Sequence, residues 1–302
     1  MKKLVSEDTV KGIKKYRWFY LMFLPVFLGL IVFHYIPMIG IGVSLFDYTP
    51  YGKPEFVGLE NFLSLFSSRL FWRAFRNTLI ISCTNLVLSM VFSVGVALLL
   101  DEINCAWFKK LSQTINYIPH FMSWVVVASI FSIILSPQDG YVNAIIKFFG
   151  GKPIYFLASE SWWRPIFYFI ERWKETGWGT IIFVAAISGV NQEQYEAAIV
   201  DGVNHVQRVW YITLPAISNT ILIVFILNLA KVLNLFDPVW VLQNSMVQNV
   251  SDVLGTYVYR LGIDRADYGL STAAGVFKSV ISVVLVTLAN KASKSIRGEG
   301  IL

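Results

Sequence analysis

The chain is expected to be an all-α, polytopic membrane protein with six transmembrane helices. Two observations carry this. Of its 302 residues, 56% are hydrophobic and only 15% charged, where ordinary soluble domains are about a quarter charged. Several apolar runs also reach roughly 20 residues, enough to cross about 30 Å of hydrocarbon at about 1.5 Å per residue.

The first span covers residues 19–46. It is overlong and interrupted by Pro25 and Pro37, so a tilt or kink is expected. Lys2, Lys3, Lys11, Lys14, Lys15 and Arg17 precede it. The apolar run then passes Pro37 without a small-x-small cleavage site, which argues against a cleaved signal peptide. The second span is 78–100, the third 117–135, the fourth 165–190, the fifth 220–242 and the sixth 272–289. The chain thus divides into a basic N-terminal segment, 1–18, a membrane domain, 19–290, and a tail, 291–302.

Lys and Arg in the flanks number twelve on the N-terminal side of the membrane and eight on the other. Arg69, Arg73 and Arg76 run against this bias. The excess places both termini in the cytoplasm of a multi-pass cell-membrane protein.

Composition and spacing also exclude function classes. The net charge is +6, but the basic residues form no stripe interleaved with aromatics, so nucleic acid is not an expected partner. Cys83 and Cys105 would lie tens of ångströms apart on a continuous helix, beyond disulfide reach. His34, His120 and His205 are far apart and show no metal-ligand spacing, so neither a metal nor a catalytic residue is assigned. His120, after Pro119, reads as a capping or packing residue.

The most informative stretch is polar and lies between apolar spans: EQYEAAIVDGVNHVQRVWYITLPAI, 193–217. Asn191 suits an N-cap with Gln194 three residues on, as in a capping box. A short helix would run to Asp201, with Gly202 supplying the left-handed position beyond it. Tyr195, Ala198 and Ile199 share a face from which Glu196 is displaced. Val206, Val209, Trp210, Thr213 and Leu214 repeat at helical spacing, and Pro215 can open the fifth span. The segment is either a linker packed on its own bundle or a docking element whose Glu196 meets a partner's Arg or Lys.

Glu196-Ala197-Ala198, then Gly202, then Ile212-x-Leu214-Pro215 resembles, in full spacing, the EAA loop of ABC-importer permeases. NYIPHFMSWVVV (116–127), ERWKETGWGTIIFVAA (171–186) and LGTYVYRLGIDRADYGLSTAAGVFKSV (254–280) are similar to the sugar-uptake, MalF/MalG-like branch and its complex-carbohydrate subfamily. Val203 stands where that branch often has Ala. The resemblance implies the type I ABC-importer permease architecture, with loop 191–217 as a cytoplasmic coupling helix. It assigns ATPase coupling to Glu196, Ala197, Ala198, Asp201, Gly202, Arg208, Leu214 and Pro215. It further implies a second homologous permease, two ATPase subunits that bind ATP and Mg, and an extracytoplasmic solute-binding protein. The chain itself would bind no cofactor, in keeping with the absence of a G-x-x-x-x-G-K-[ST] loop.

Polar residues inside the spans are the pathway candidates. Glu171, Arg172, Lys174 and Glu175 interrupt the fourth span. Such groups mark a pathway or partner interface, but Glu171–Lys174 and Arg172–Glu175 can also pair internally at i,i+3. A later start of the span would place them at its outer interface. Thr78, Ser82, Asn85, Ser89 and Ser93 form a stripe that faces a partner helix or a wet cavity, not lipid. Asn228, Lys231, Asn234, Trp240 and Lys278 complete the set, since amides can bond sugar hydroxyls and tryptophan can stack on a sugar face. Four span residues are basic (Arg172, Lys174, Lys231, Lys278) and three acidic (Glu171, Glu175, Asp237), so the expected oligosaccharide cargo includes acidic ones. The alternatives are an ion-coupled secondary transporter or an ABC permease for a non-sugar solute.

Overall fold

The structure is a computed structural model that describes residues 15–50 and 52–297. Lys2, Lys3, Lys11 and Lys14 of the expected basic segment, and tail residues 298–302, lie outside the described residues. The chain forms two compact units, Met1–Leu65 with Leu261–Val276, and Phe66–Arg260 with Phe277–Leu302.

In the first unit, α1 (Arg17–Leu45) is a single apolar run that buries none of its most hydrophobic window. Its irregularity follows from composition. Pro37 cannot donate a backbone hydrogen bond, and a π turn at Ile31–Tyr35 and a 3₁₀ stretch at Ile39–Leu45 surround it. A two-stranded hairpin follows, β1 (Phe46–Asp47) on β2 (Glu55–Phe56), with Phe46 opposite Phe56. Asn61, on α2 (Glu60–Ser67), ties the end of α1 to the hairpin by donating to the Ser44 and Phe46 carbonyls at 3.0 and 2.9 Å.

The second unit is organised by two long helices packed together, α3 (Arg69–Asp101) and α7 (Glu160–Ser188). Between them in sequence come α4 (Ala106–Phe121), α5 (Trp124–Ile134) and the short α6 (Tyr141–Phe148). The coupling segment contributes α8 (Gln192–Val200), and α9 (His205–Leu229) follows it. Three short helices come next, α10 (Asp237–Leu242), α11 (Gln248–Ser251) and α12 (Leu254–Tyr259). The last helix, α13 (Tyr268–Arg297), is 30 residues long. One core gathers Ile81, Phe131, Trp163, Phe167 and Val239, while a second, towards α8, joins Met90, Phe183, Ile187 and Ile217.

Four helices among the described residues are long and apolar enough to cross a membrane, and the bent pair α4–α5 makes a fifth if taken as one span. The expected fourth span corresponds to α7, which is not among those helices. Its 29 residues reach about 43 Å at ~1.5 Å each, and it carries the charged quartet inside.

Two expected spans need correction. The third, expected over 117–135, starts earlier and is broken: α4 and α5 meet at 103°. Pro119 brings a 3₁₀ turn, and the Ser123 hydroxyl then caps a new helix by accepting from Val126 N–H at 3.3 Å. The fifth, expected over 220–242, runs from His205 to Leu229 instead. Pro215 does not start it. A π turn at Val209–Thr213 widens the helix just ahead of the proline, with Leu214 N–H bonded to the Val209 carbonyl. That widening spares the clash of the ring with the carbonyl four residues back. Beyond Leu229 the chain turns, and Pro238 restarts it in the first turn of α10.

Candidate functional site

Both candidate regions lie in the second unit. The first is a cavity of about 340 Å³ among α3, α7 and the turn after α9. Its walls include Ser82, Asn85 and Ser89 from α3, Glu171, Arg172 and Glu175 from α7, and Asn228, Lys231 and Asn234. The α3 stripe therefore divides its labour. Thr78 is buried, donating to the Ala74 carbonyl and accepting from Leu254 N–H at 2.8 Å. Ser93 packs at Gly179, where an added Cβ would come within 2.5 Å of its hydroxyl. Only the middle of the stripe is wet.

The charged quartet pairs, but not at i,i+3. Arg172 Nη2 meets Glu171 Oε2 at 3.1 Å and donates to Asn85 Oδ1 at 2.8 Å. Lys174 Nζ donates to Glu175 Oε1 at 2.8 Å. The i,i+3 expectation fails because each long side chain reaches sideways to a neighbouring helix. Arg172 goes to α3, and Lys174 goes to the break between α4 and α5. There Lys174 Nζ also donates to the His120 carbonyl at 2.9 Å and sits 5.1 Å from the Trp124 ring centroid. Glu171, Arg172 and Lys174 are buried inside the protein.

His120 was not singled out for this role, and no local signal marks it. Its Nδ1 lies 2.7 Å from Glu175 Oε2, and its ring stacks on Trp178 at 4.5 Å with 4° between planes. Glu175 and Trp178 both line the cavity. One carboxylate thus faces the cavity and holds the break in the third span. Among the described residues, Nε and Nη1 of Arg172 are buried without a hydrogen-bond partner.

Three named pathway residues are placed elsewhere. Lys174 is turned to the α4–α5 break. Trp240 packs between Phe236 and Tyr259, at 5.7 and 4.5 Å. Lys278, on α13, is not among the residues lining the cavity.

The second region is the coupling segment. Asn191 caps α8 by accepting from Glu193 N–H at 3.0 Å; the reciprocal capping box forms instead at the start of α9, between Asn204 and Gln207. Gly202 adopts φ +74°. Gly202 N–H bonds to the Ile199 carbonyl at 3.1 Å and Val203 N–H to the Ala198 carbonyl at 2.9 Å, a Schellman closure. Asp201 is the C-cap residue just before it. The turn therefore sets α8 against the start of α9, with Tyr195 Oη 2.8 Å from Thr213 Oγ1.

Ala198 is buried, whereas Glu196 and Ala197 are exposed. Glu196 borders a cleft of about 470 Å³, together with Asp101, Glu102, His205 and Arg208. His205 Nδ1 bonds to Glu102 Oε2 at 2.9 Å and approaches Arg208 Nη2 at 2.6 Å. Pro215 is exposed and Leu214 half-buried beyond the π turn. The cysteines are both free and exposed.

Residues 104–298 match the family described as binding-protein-dependent transport system inner membrane component. The chain belongs to this permease family. It is 41% identical to protein LplB of Bacillus subtilis (strain 168), over 96% of this chain and 92% of that one. It is equally 41% identical to the polygalacturonan/rhamnogalacturonan transport system permease protein YteP of the same organism, over 94% and 90%. Among solved structures, a bacterial ABC transporter involved in the import of the acidic polysaccharide alginate aligns at a TM-score of 0.90. The identity is 36%, covering 96% of this chain and 100% of that one. The fold is thus that of an ABC-importer permease, which replaces the ion-coupled alternative. It is a transport permease component.

Proposed function

We propose that this permease moves oligosaccharides inward, acidic ones included, through the cavity between α3, α7 and the turn after α9. The supporting observation is the cavity wall, where the amides of Asn85, Asn228 and Asn234 and the charged side chains of Glu171, Arg172, Glu175 and Lys231 interrupt an apolar bundle. Asparagine amides offer both donors and acceptors to sugar hydroxyls. Arg172 and Lys231 balance Glu171 and Glu175 there, so net charge does not select an anion. The acidic cargo rests on Arg172, which lines the cavity and whose guanidinium can meet a carboxylate, and on relatives named for polygalacturonan, rhamnogalacturonan and alginate.

ATP and Mg bind partner ATPases. Helix α8 docks on one of them through Glu196 and Ala197, Gly202 fixes its angle, and Asp201, Arg208, Leu214 and Pro215 support it. A second permease completes the pathway, and an extracytoplasmic solute-binding protein delivers cargo, as the complex of the alginate transporter with its pentasaccharide-bound periplasmic protein suggests for the fold. Both termini face the cytoplasm. Because α9 continues directly from the turn after α8, closure of the ATPases pushes on the helix whose last turn carries Asn228, with Lys231 just beyond it.

The test is uptake into proteoliposomes holding the full transporter and its binding protein, comparing galacturonate oligomers with neutral malto-oligosaccharides. ATP-dependent uptake of the uronates is expected. Transport of neutral glycans alone removes the acidic cargo, and uptake indifferent to ATP removes the coupling reading.

A further inference from the structure

Between α5 and α7 the chain builds a small lobe around α6. Asn143 is fully buried and pins it. Its Nδ2 donates to the Leu135, Ser136 and Ile154 carbonyls at 3.2, 3.0 and 3.0 Å, and its Oδ1 accepts from Ile154 N–H at 2.7 Å. A helix latched at four points cannot roll, so its two faces are fixed. Val142 and Ile146 pack inward against the core that holds Leu135, Phe156 and Trp163. The other face is bare: Tyr141 is 72% exposed, Ile145 60%, Phe148 85% and Phe149 81%. Tyr155, just beyond, is 57% exposed.

The depth of this face follows from α7. Trp163 stands one turn into a helix whose far end leads into the coupling helix α8. A helix of about 43 Å overruns a hydrocarbon layer of about 30 Å. The α6 lobe packs at the end of α7 remote from α8, one of the two ends at which such a helix would leave the apolar layer. Aromatic rings and lysines are the residues suited to that level, with rings against acyl carbons and ammonium groups among phosphates. Lys147 and Lys152 are both exposed beside the rings, and Asp139 is the one acid between 136 and 159. Trp162 continues the patch, half-exposed and edge-on to Phe156 at 5.4 Å. A protein partner would more often meet a face depleted of lysine.

We propose that α6 is an interfacial anchor, lying in the lipid headgroup layer on the side remote from the coupling helix. Tyr141, Ile145, Phe148 and Phe149 enter the lipid, and Lys147 and Lys152 lie among the phosphates. Its rigid latch would hold the outer ends of α5 and α7 at a fixed depth while α8 and α9 move.

The test uses the assembled transporter in proteoliposomes, with Cys83→Ser and Cys105→Ser as background and Phe148→Cys carrying an environment-sensitive fluorophore. Headgroup-proximal spin-labelled lipid is expected to quench the label at least twofold more than aqueous iodide. Tyr141→Cys provides the same measurement should Phe148→Cys fail to assemble. Quenching by iodide without quenching by lipid overturns the proposal. So does a label shielded from both in the assembly, because a protein partner then covers the face.

Discussion

At the residue scale, Arg172 carries the sharpest separable roles. It pairs with buried Glu171, reaches Asn85 and lines the cavity. Removing one member of a buried pair leaves the other uncompensated, at about 3–5 kcal/mol, whereas removing both charges is often close to neutral. Arg172→Gln is therefore expected to lower the thermal midpoint of the detergent-solubilised permease. Adding Glu171→Gln should restore most of that stability, while uptake stays low in both variants. Recovery of uptake with stability would make Arg172 a packing residue only. The sequence showed that these residues were ionic and inside a span, but not whom they would meet. His120 and Glu175 are 55 positions apart, and nothing local to either announces a 2.7 Å contact.

At the scale of elements, helix contacts depend on close backbone approach. Gly177 on α7 faces the Asn116 carbonyl on α4, and any Cβ there would overlap it. Small residues allow such approach between membrane helices. Gly177→Ala is expected to destabilise by about 1–3 kcal/mol, the usual cost of overpacking. Gly95→Ala, where nothing lies within 4 Å of the new methyl, should leave the midpoint unchanged. Equal midpoints for the two variants would show that α4 yields freely to α7. Helices with uniform apolar patterning, such as α3 and α13, were legible, although α3 starts nine residues before the expected 78 and α13 runs eight beyond the expected 289. The break after Phe121 and the early start of α9 were not. Pro119, Ser123 and Pro215 were visible, but whether a proline ends, kinks or merely widens a helix depends on what neighbouring helices and caps supply.

At the scale of the whole molecule, α8 and α9 form one lever joined at Gly202. Glu196→Lys reverses an exposed charge, and Gly202→Pro demands φ near −65° where the turn holds +74°. Copurification with the ATPase subunits is the measurement: both variants should insert as wild type does and lose the ATPase together with uptake. Retention of the ATPase by both would leave α8 a surface linker.

The amino-acid sequence alone determined that the protein lies in a membrane, that it is helical, and that it carries a short polar helix with a glycine turn and a proline at family spacing. Those properties depend on hydropathy over tens of residues and on backbone preferences at single positions, both of which are local. The tertiary structure alone decided that the α3 stripe is wet only at its centre, that Trp240 and Lys174 turn away from the cavity, and that Glu175 serves both the cavity and the broken third span. Each of these depends on which side chain from a distant segment arrives within hydrogen-bonding reach, and packing rather than sequence spacing sets that distance.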